Sequence, residues 1–295
     1  MRSTRRSRPR KSSSLTSESP APVPPTGRAG RDLSAAIGVG VGLVAVVLAS
    51  LFFVKDVFVL VVALALTVAV LELSKALASA GIRVPVPPVL AGGLVMLGVA
   101  YYDDMETAAA VLALTVLATL VYRLPGGADG FVRDATSGVF CLAYLFLMGS
   151  FVVRMLDNPD GAWRIVAFIV ATIASDIGGY AAGVFFGKHP MAPTISPKKS
   201  WEGFAGSMIT GIVLSTLVVV YGLEGEIWVG VVLGATAVIM ATVGDLCESL
   251  IKRDIGVKDM GTILPGHGGV MDRLDSLIAV APVAYLILYL LVPVS

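Results

Sequence analysis

The sequence predicts an all-α fold, a polytopic membrane bundle of about nine transmembrane helices, and three observations support this prediction. Hydrophobic residues make up 56% of the 295 residues, 15% are charged, and the mean hydropathy is +0.86. Soluble globular domains are far more polar. The apolar residues also form many long stretches, and a helix needs about 20 of them to cross a bilayer. The third observation is the distribution of cationic residues.

The apolar stretches define the predicted helices, and short polar breaks separate them. The spans lie near 33–54, 57–78, 86–101, 106–122, 136–153, 162–187, 203–222, 227–246 and 274–292. The third and fourth are short or interrupted by the sequence PVPPVLAGG, so hydropathy alone leaves eight or ten spans open.

Lys and Arg are concentrated in alternate loops, as the positive-inside rule requires. With nine spans and a cytoplasmic N-terminus, the inside segments hold 19 of the 22 cationic residues. Only Lys55, Arg154 and Arg164 fall outside. This distribution predicts that the N-terminus is cytoplasmic and the C-terminus lies on the other side.

The chain divides into three predicted regions. Residues 1–32 are basic and rich in Ser and Pro, which predicts a disordered cytoplasmic tail. Residues 33–153 contain few intramembrane charges and are interpreted as a transmembrane scaffold, whereas residues 154–295 form the predicted catalytic region. Cys141 and Cys247 have no metal-ligand spacing and are interpreted as packing residues.

The sixth predicted span contains a carboxylate, Asp176, one helical turn before Tyr180. Gly179, Gly183 and Gly187 recur on one face of the same span, and small residues at this spacing favour close helix packing. Asp176 needs a partner inside an apolar helix, and a metal or a cation from another segment would provide one.

A dibasic segment, Lys198 and Lys199, precedes the seventh span. It could bind anionic lipid headgroups or fix the topology of the chain. Alternatively, the two ammonium groups and the nearby hydroxyl groups, including that of Ser200, bind the phosphates of a substrate.

The densest group of ionisable residues lies between the last two spans, in residues 244–276. Its glycines and Pro265 leave backbone N–H groups free to approach an anion before the ninth helix. The ionisable residues are Asp245, Glu248, Lys252, Arg253, Asp254, Lys258, Asp259, His267, Asp272, Arg273 and Asp275.

These residue types predict a magnesium site that handles phosphates. Magnesium is commonly held by one or two carboxylates together with substrate phosphates, and Asp245 and Asp272 are the leading pair. His267 is a candidate acid, base or hydrogen-bonding support. The cationic residues that would neutralise a polyphosphate are Lys252, Arg253, Lys258 and Arg273.

Residues 249–275, SLIKRDIGVKDMGTILPGHGGVMDRLD, closely resemble the signature of the phosphatidate cytidylyltransferases, the bacterial CDP-diacylglycerol synthases. The segments SDIGGYAAGVFFGK and ISPKKSWEGF resemble a second block of that family. The resemblance is strong over about 175–278 and architectural before that. Ser200, where threonine is usual, and Cys247, where a bulky apolar residue is common, are the two departures.

The resemblance implies a magnesium-dependent reaction of CTP with phosphatidate at the cytoplasmic face of the bacterial cell membrane. It implies metal ligation by Asp245 and Asp272, with Asp176 and Asp275 as further candidates and room for a second cation. It also implies catalytic roles for Lys252, Arg253 and His267. The implied substrate-binding residues are Lys198, Lys199, Ser200, Ser249, Lys258, Asp259, Gly268, Gly269 and Arg273.

Three other membrane functions account for the sequence less well. A CDP-alcohol phosphotransferase requires an Asp-Gly-x-x-Ala-Arg motif, which the sequence lacks. A CTP-dependent lipid or isoprenoid kinase shares the nucleotide and the membrane setting. A transporter would distribute its charges around a midplane pathway, whereas here they crowd on the inner side. No nucleic-acid partner is expected, and a homodimer is left open.

Overall fold

The computed structural model describes residues 33–261 and 268–293, and nine helices lie in this part of the chain. They are α1 Leu33–Phe53, α2 Lys55–Ser79, α3 Val86–Tyr102, α4 Met105–Arg123, α5 Phe131–Leu156, α6 Gly161–Phe186, α7 Trp201–Gly222, α8 Ile227–Asp254 and α9 Met271–Leu291. Each coincides with one predicted span, so the helical prediction is confirmed. The predicted tail, residues 1–32, lies outside the described residues.

Seven of the nine helices, α2 and α4–α9, are long and apolar enough to cross a membrane. The helix α3 has 17 residues and begins at the proline-rich sequence that made its span uncertain. Large hydrophobic side chains are exposed on many of these helices, which is what helices in contact with lipid require. The chain is therefore a multi-pass membrane protein.

A small β-hairpin interrupts the helices where the sequence predicted only a loop. Strands β1 Pro190–Ala192 and β2 Ser196–Ser200 pair in antiparallel fashion. The second strand ends at Ser200, whose Oγ accepts a hydrogen bond from the N–H of Gly203 (3.1 Å). The hairpin thus delivers the chain directly into the capped N-terminus of α7.

The helix α8 is longer than predicted, because it continues from the apolar span through the polar residues to Asp254. Lys252 and Arg253 lie in its last turn, where cations interact favourably with the helix dipole. Gly256, with φ +74°, ends the helix, and the N–H of Val257 donates to the carbonyl of Lys252 (2.9 Å). Part of the predicted loop is therefore rigid helix.

Small residues bring α6 and α7 into close contact. A Cβ atom on Gly179 would lie 2.5 Å from Ser207 Oγ, and one on Gly203 would lie 3.0 Å from the Gly179 carbonyl. Ser207 Oγ also donates to the carbonyl of Ser175 (2.6 Å). The prediction that the glycine row serves helix packing is confirmed.

The helix α5 contains a π-helical segment, Leu142–Leu147, in the middle of the bundle. Cys141 precedes this segment and is fully buried, as predicted for a packing residue. Cys247, in contrast, is exposed on α8, so the packing prediction is wrong for it. Consecutive helical residues point in different directions, and here Glu248 faces the interior whereas Cys247 faces outward.

A buried arginine joins the beginning of α6 to the end of α9. Arg164 is 1% exposed, and its Nε donates to Asp160 Oδ1 (2.7 Å). Its two terminal nitrogens donate to the carbonyls of Leu288 (2.6 Å) and Val292 (3.0 Å). The guanidinium therefore binds two carbonyls at the C-terminal end of α9, one of which, that of Leu288, also accepts a hydrogen bond from the N–H of Val292 (3.2 Å).

We expect Arg164→Met to destabilise the protein by about 3 kcal/mol, because it leaves a buried Asp160 carboxylate without its cation. The matched control is Arg154→Met, which removes the more exposed pair with Asp157 and should cost about 1 kcal/mol or less. Unfolding of both variants in detergent measures the difference. Equal losses of stability would contradict this account.

Candidate functional site

A polar cavity of about 360 Å³ lies where α8, α9 and the hairpin meet. We call it the central cavity. Residues from four separate parts of the chain form its wall, so it exists only in the folded bundle. The lining residues are Ser196, Lys199, Asp245, Glu248, Ser249, Lys252, Asp259, Gly268, Asp272, Arg273 and Asp275.

Asp245 projects from α8 into the central cavity and is held from two sides. Its Oδ2 accepts a hydrogen bond from the Lys199 ammonium of β2. Its Oδ1 accepts one from Ser276 Oγ of α9 (2.7 Å). The hairpin and the two helices are therefore joined at this carboxylate.

Asp272 lies in the first turn of α9 and faces the same cavity. Its Oδ1 accepts a hydrogen bond from Lys252 Nζ of α8 (2.9 Å). The backbone N–H groups of Met260 and Gly269 also donate to its Oδ2, at 3.2 and 2.9 Å. These contacts fix the orientation of the carboxylate before any ligand binds.

Glu248, one turn after Asp245 on α8, is 2% exposed. Its Oε2 lies 2.5 Å from Lys252 Nζ. Its Oε1 is buried and has no hydrogen-bond partner among the described residues. A buried carboxylate oxygen without a partner is costly, so Glu248 has capacity to bind a further donor or cation.

Four of the five carboxyl groups that line the cavity are arranged as two neighbouring pairs, and the fifth, that of Asp259, is exposed. Asp245 lies next to Asp275, and Glu248 lies next to Asp272, so that each pair interacts electrostatically. Lys199 and Lys252 each contact one pair, and Arg273 lines the same cavity. Five carboxyl groups thus line the cavity together with three cationic side chains.

This set of donors fits a hard divalent cation. All its candidate ligand atoms are oxygens, and the five carboxyl groups of the lining outnumber its three cationic side chains by two. Within residues 33–261 and 268–293, no three Asp, Glu, His or Cys side chains are already arranged as a complete metal site. The arrangement suits magnesium, which takes one or two protein carboxylates and completes its shell with substrate oxygens and water.

Two further cavities adjoin the central one. A basic cavity of about 370 Å³ shares Ser196, Ser249 and Lys252 with it and adds Lys198, Arg253 and Lys258. A lateral cavity of about 190 Å³ shares Lys199 and Asp245 and extends between α6 and α7. Its other lining residues include Asp176, Tyr180, Met191, Ser200 and Phe204.

The structure brings most of the predicted site residues into these three cavities. Asp245, Asp272, Asp275, Ser249, Asp259, Gly268 and Arg273 line the central cavity, and Gly269 donates to Asp272. Asp176 lies apart from Asp272, in the lateral cavity, and interacts electrostatically with Asp245. Ser200 lines that cavity while capping α7. His267 lies outside the described residues.

Three residues near the site were not assigned a role from the sequence. Glu248 is one of the ionisable residues of the segment 244–276, and its spacing of four from Lys252 predicts an ion pair if the helix continues that far. Ser276 follows Asp275 directly, and only the structure shows its bond to Asp245. Glu72, in the predicted scaffold, accepts a hydrogen bond from the N–H of Met271 (2.9 Å). In the sequence, Glu72 is a single acidic residue inside an apolar span, and such a residue indicates a functional or paired carboxylate.

We expect Lys252→Met to lower the stability of the protein by about 3 kcal/mol, because two adjacent buried carboxylates lose their shared cation. Lys258→Met is the matched control, since Lys258 is exposed and forms no ion pair within the described residues. Thermal unfolding at low ionic strength compares the two variants. An equally small effect for both would show that Lys252 does not hold the carboxylates.

Comparison with known proteins agrees with the resemblance seen in the sequence. Residues 34–291 match the family described as the cytidylyltransferase family. A protein of Mycobacterium bovis called phosphatidate cytidylyltransferase is 42% identical over 92% of this chain and 92% of its own length. One of Mycobacterium leprae with the same name is 40% identical over 90% of each chain. A namesake from Haemophilus influenzae is 40% identical over 43% of this chain and 46% of its own.

Proposed function

Because the chain belongs to the cytidylyltransferase family, we propose that it transfers the cytidylyl group of CTP to phosphatidate, releasing pyrophosphate and forming CDP-diacylglycerol. Its relatives from Mycobacterium are named for this activity. The observation that carries the proposal is the adjacency of three cavities with different chemistry. The basic cavity is rich in cationic side chains, the central cavity is rich in carboxylates, and the lateral cavity borders the lipid-facing surface.

The basic cavity is the proposed site for the phosphates of CTP. Lys198 extends from the hairpin, whereas Lys252 and Arg253 extend from the last turn of α8. Cationic groups in this arrangement form charge-assisted hydrogen bonds to phosphate oxygens. Ser196 and Ser249 add hydroxyl donors at the boundary with the central cavity. This cavity would hold the two phosphates that leave as pyrophosphate.

The lateral cavity is the proposed entry for the phosphatidate headgroup. It is lined by Tyr180, which is 76% exposed, and Ile177 and Val184 are exposed on the same face of α6. In a membrane, this face is in contact with acyl chains. The lipid phosphate could then reach Lys199 and Asp245 while its acyl chains remain in the bilayer.

Magnesium is the proposed cofactor, with Asp245 and Asp272 as its ligands and Glu248 and Asp275 as neighbouring carboxylates. Both leading ligands line the central cavity, between the proposed sites of the two substrates. When bound there, the metal supplies positive charge that offsets the repulsion between two anionic substrates and stabilises the transition state.

The proposed reaction is an in-line displacement. A phosphatidate oxygen forms a bond to the α-phosphorus of CTP, and the bond from that phosphorus to the bridging oxygen of pyrophosphate breaks. The attacking phosphate is already an anion, so a general base contributes little. Lys199 would orient the lipid phosphate, whereas Lys198, Lys252 and Arg253 would stabilise the charge that develops on the leaving group.

We place the three cavities at the cytoplasmic face of the bacterial cell membrane. Lys55, Arg154 and Arg164 are the three cationic residues that fall outside the predicted cytoplasmic segments. They lie together at the end of the bundle opposite to the cavities, which supports this topology. There, Lys55 donates to the Asn158 carbonyl (2.7 Å), and Arg154 donates to the Asp103 carbonyl (3.1 Å). At the opposite end, six cationic residues line the cavities: Lys198, Lys199, Lys252, Arg253, Lys258 and Arg273.

The purified protein in detergent, given magnesium, labelled CTP and phosphatidate, should form CDP-diacylglycerol and pyrophosphate in equal amounts. A CTP-dependent lipid kinase, in contrast, releases CDP and a phosphorylated lipid. Chromatography of the labelled products separates these reactions. CDP release without CDP-diacylglycerol would establish the kinase, and inactivity beside an active control enzyme would refute the proposed transfer.

We expect Asp245→Asn and Asp272→Asn each to lower kcat on the order of 100-fold, because each removes a charge that holds the metal. Asp129→Asn, an exposed change in the loop between α4 and α5, is the matched control and should retain the activity of the unmodified protein. Initial rates are measured at saturating substrate over a range of magnesium concentrations. Near-normal turnover of either site variant would remove that residue from the metal site.

A further inference from the structure

Glu72 is a buried carboxylate in the part of the chain that the sequence predicted to be scaffold. It lies in α2, is 2% exposed, and has Ala69, Leu73 and Ala76 as buried neighbours on the same helix. A carboxylate in an apolar transmembrane helix is costly and is retained where a partner compensates for its burial. The partner here is the backbone beside Asp272.

The first contact joins Glu72 to the N-terminus of α9. Its Oε2 accepts a hydrogen bond from the N–H of Met271 (2.9 Å), the residue before Asp272. N–H groups in the first turn of a helix have no partner within the helix and carry partial positive charge. The carboxylate of α2 thus binds the turn that presents Asp272.

The second contact is with two glycines on either side of residues 262–267. A Cβ atom on Gly261 would lie 2.1 Å from Glu72 Oε1, and one on Gly269 would lie 2.6 Å from Glu72 Oε2. Side chains at these two positions would therefore overlap the carboxylate. The absence of a Cβ atom lets the backbone pack directly against Glu72.

The same backbone also binds Asp272. The N–H groups of Met260 and Gly269 donate to Asp272 Oδ2, and a Cβ atom on Gly269 would lie 3.0 Å from that oxygen. Glu72 and Asp272 therefore contact the same two backbone segments, one at Met260 and Gly261 and the other at Gly269. Movement of Glu72 would displace the donors that orient Asp272.

We propose that Glu72 is a positioning residue, which fastens the backbone at 260–261 and 269–271 so that Asp272 is held towards the central cavity. The link to catalysis rests on the proposed function, whereas the link to the backbone does not. Glu72 Oε1 is buried without a hydrogen-bond partner among the described residues, so Oε2 provides the hydrogen bond on which the proposal depends.

The test compares Glu72→Leu, which has a similar size and no acceptor, with Glu72→Gln, which keeps an acceptor for the Met271 N–H. Glu72→Leu should raise the magnesium concentration for half-maximal rate about tenfold, as loss of a residue supporting a metal ligand does. It should lower kcat about 100-fold and leave the KM for phosphatidate near that of the unmodified protein. Glu72→Gln should stay close to the unmodified protein.

Leu66→Ala is the control for lost packing on the same helix. Leu66 is buried against α5, where a Cβ atom on Gly149 would lie 2.5 Å from its Cδ1. This variant should unfold at a lower temperature but keep the magnesium requirement of the unmodified protein. An unchanged requirement in Glu72→Leu, or equal damage in Glu72→Gln, would overturn the proposal.

Amide hydrogen exchange provides a measurement that needs no activity. In Glu72→Leu, the N–H groups of Met260, Gly269 and Met271 should exchange faster, while exchange in α4 is unchanged. Unaltered exchange at these three amides would refute the positioning role. If the unmodified protein forms no CDP-diacylglycerol, the proposed function fails, but the exchange experiment still decides whether Glu72 holds this backbone.

A pair of substitutions tests the steric part of the proposal. Gly261→Ala should displace the Glu72 carboxylate and accelerate exchange at the Met271 amide. In a Glu72→Ala background, the new methyl group has space, so the added effect of Gly261→Ala should be small. If Gly261→Ala accelerates exchange at the Met271 amide equally with Glu72 and with Glu72→Ala, then Gly261 and Glu72 do not act through their contact.

Discussion

The concentration of four carboxyl groups at one end of a membrane bundle is the constraint on which the rest of the site depends. Carboxylates this close repel one another, and the surrounding helices provide little water to screen them. The chain compensates with Lys199 and Lys252, each of which contacts one pair of carboxyl groups. Because these lysines come from the hairpin and from α8, the hairpin, α8 and α9 must assemble together.

This electrostatic arrangement explains why the site is built on rigid elements. The helix α8 continues past the apolar span, so that Asp245, Glu248 and Lys252 stand on one helix face at fixed spacing. The hairpin is short and leads into the cap of α7, which fixes the position of Lys199. A site that must bring two anions together benefits from charges that are in place before the substrates bind.

The sequence was sufficient to predict the nine helices and to single out most of the charged residues that line the three cavities. Apolar stretches, the cationic bias and the segment 249–275 carry that information locally. The hairpin was missed because its strands are only three and five residues long, too short to give a hydropathy pattern of their own. The end of α8 was misplaced because hydropathy falls at Asp245, although the residues that follow continue the helix and form the Glu248–Lys252 pair.

Local sequence therefore determined the fold class, the membrane setting and the chemical character of the site, because hydropathy and charge spacing are properties of neighbouring residues. Only the tertiary structure decided which charges meet. It paired Lys199 with Asp245 across 46 positions and placed Glu72 on Met271 across 199. Such contacts result from the packing of whole helices, in which small residues set how closely α6 and α7 approach, and no local pattern encodes the partner.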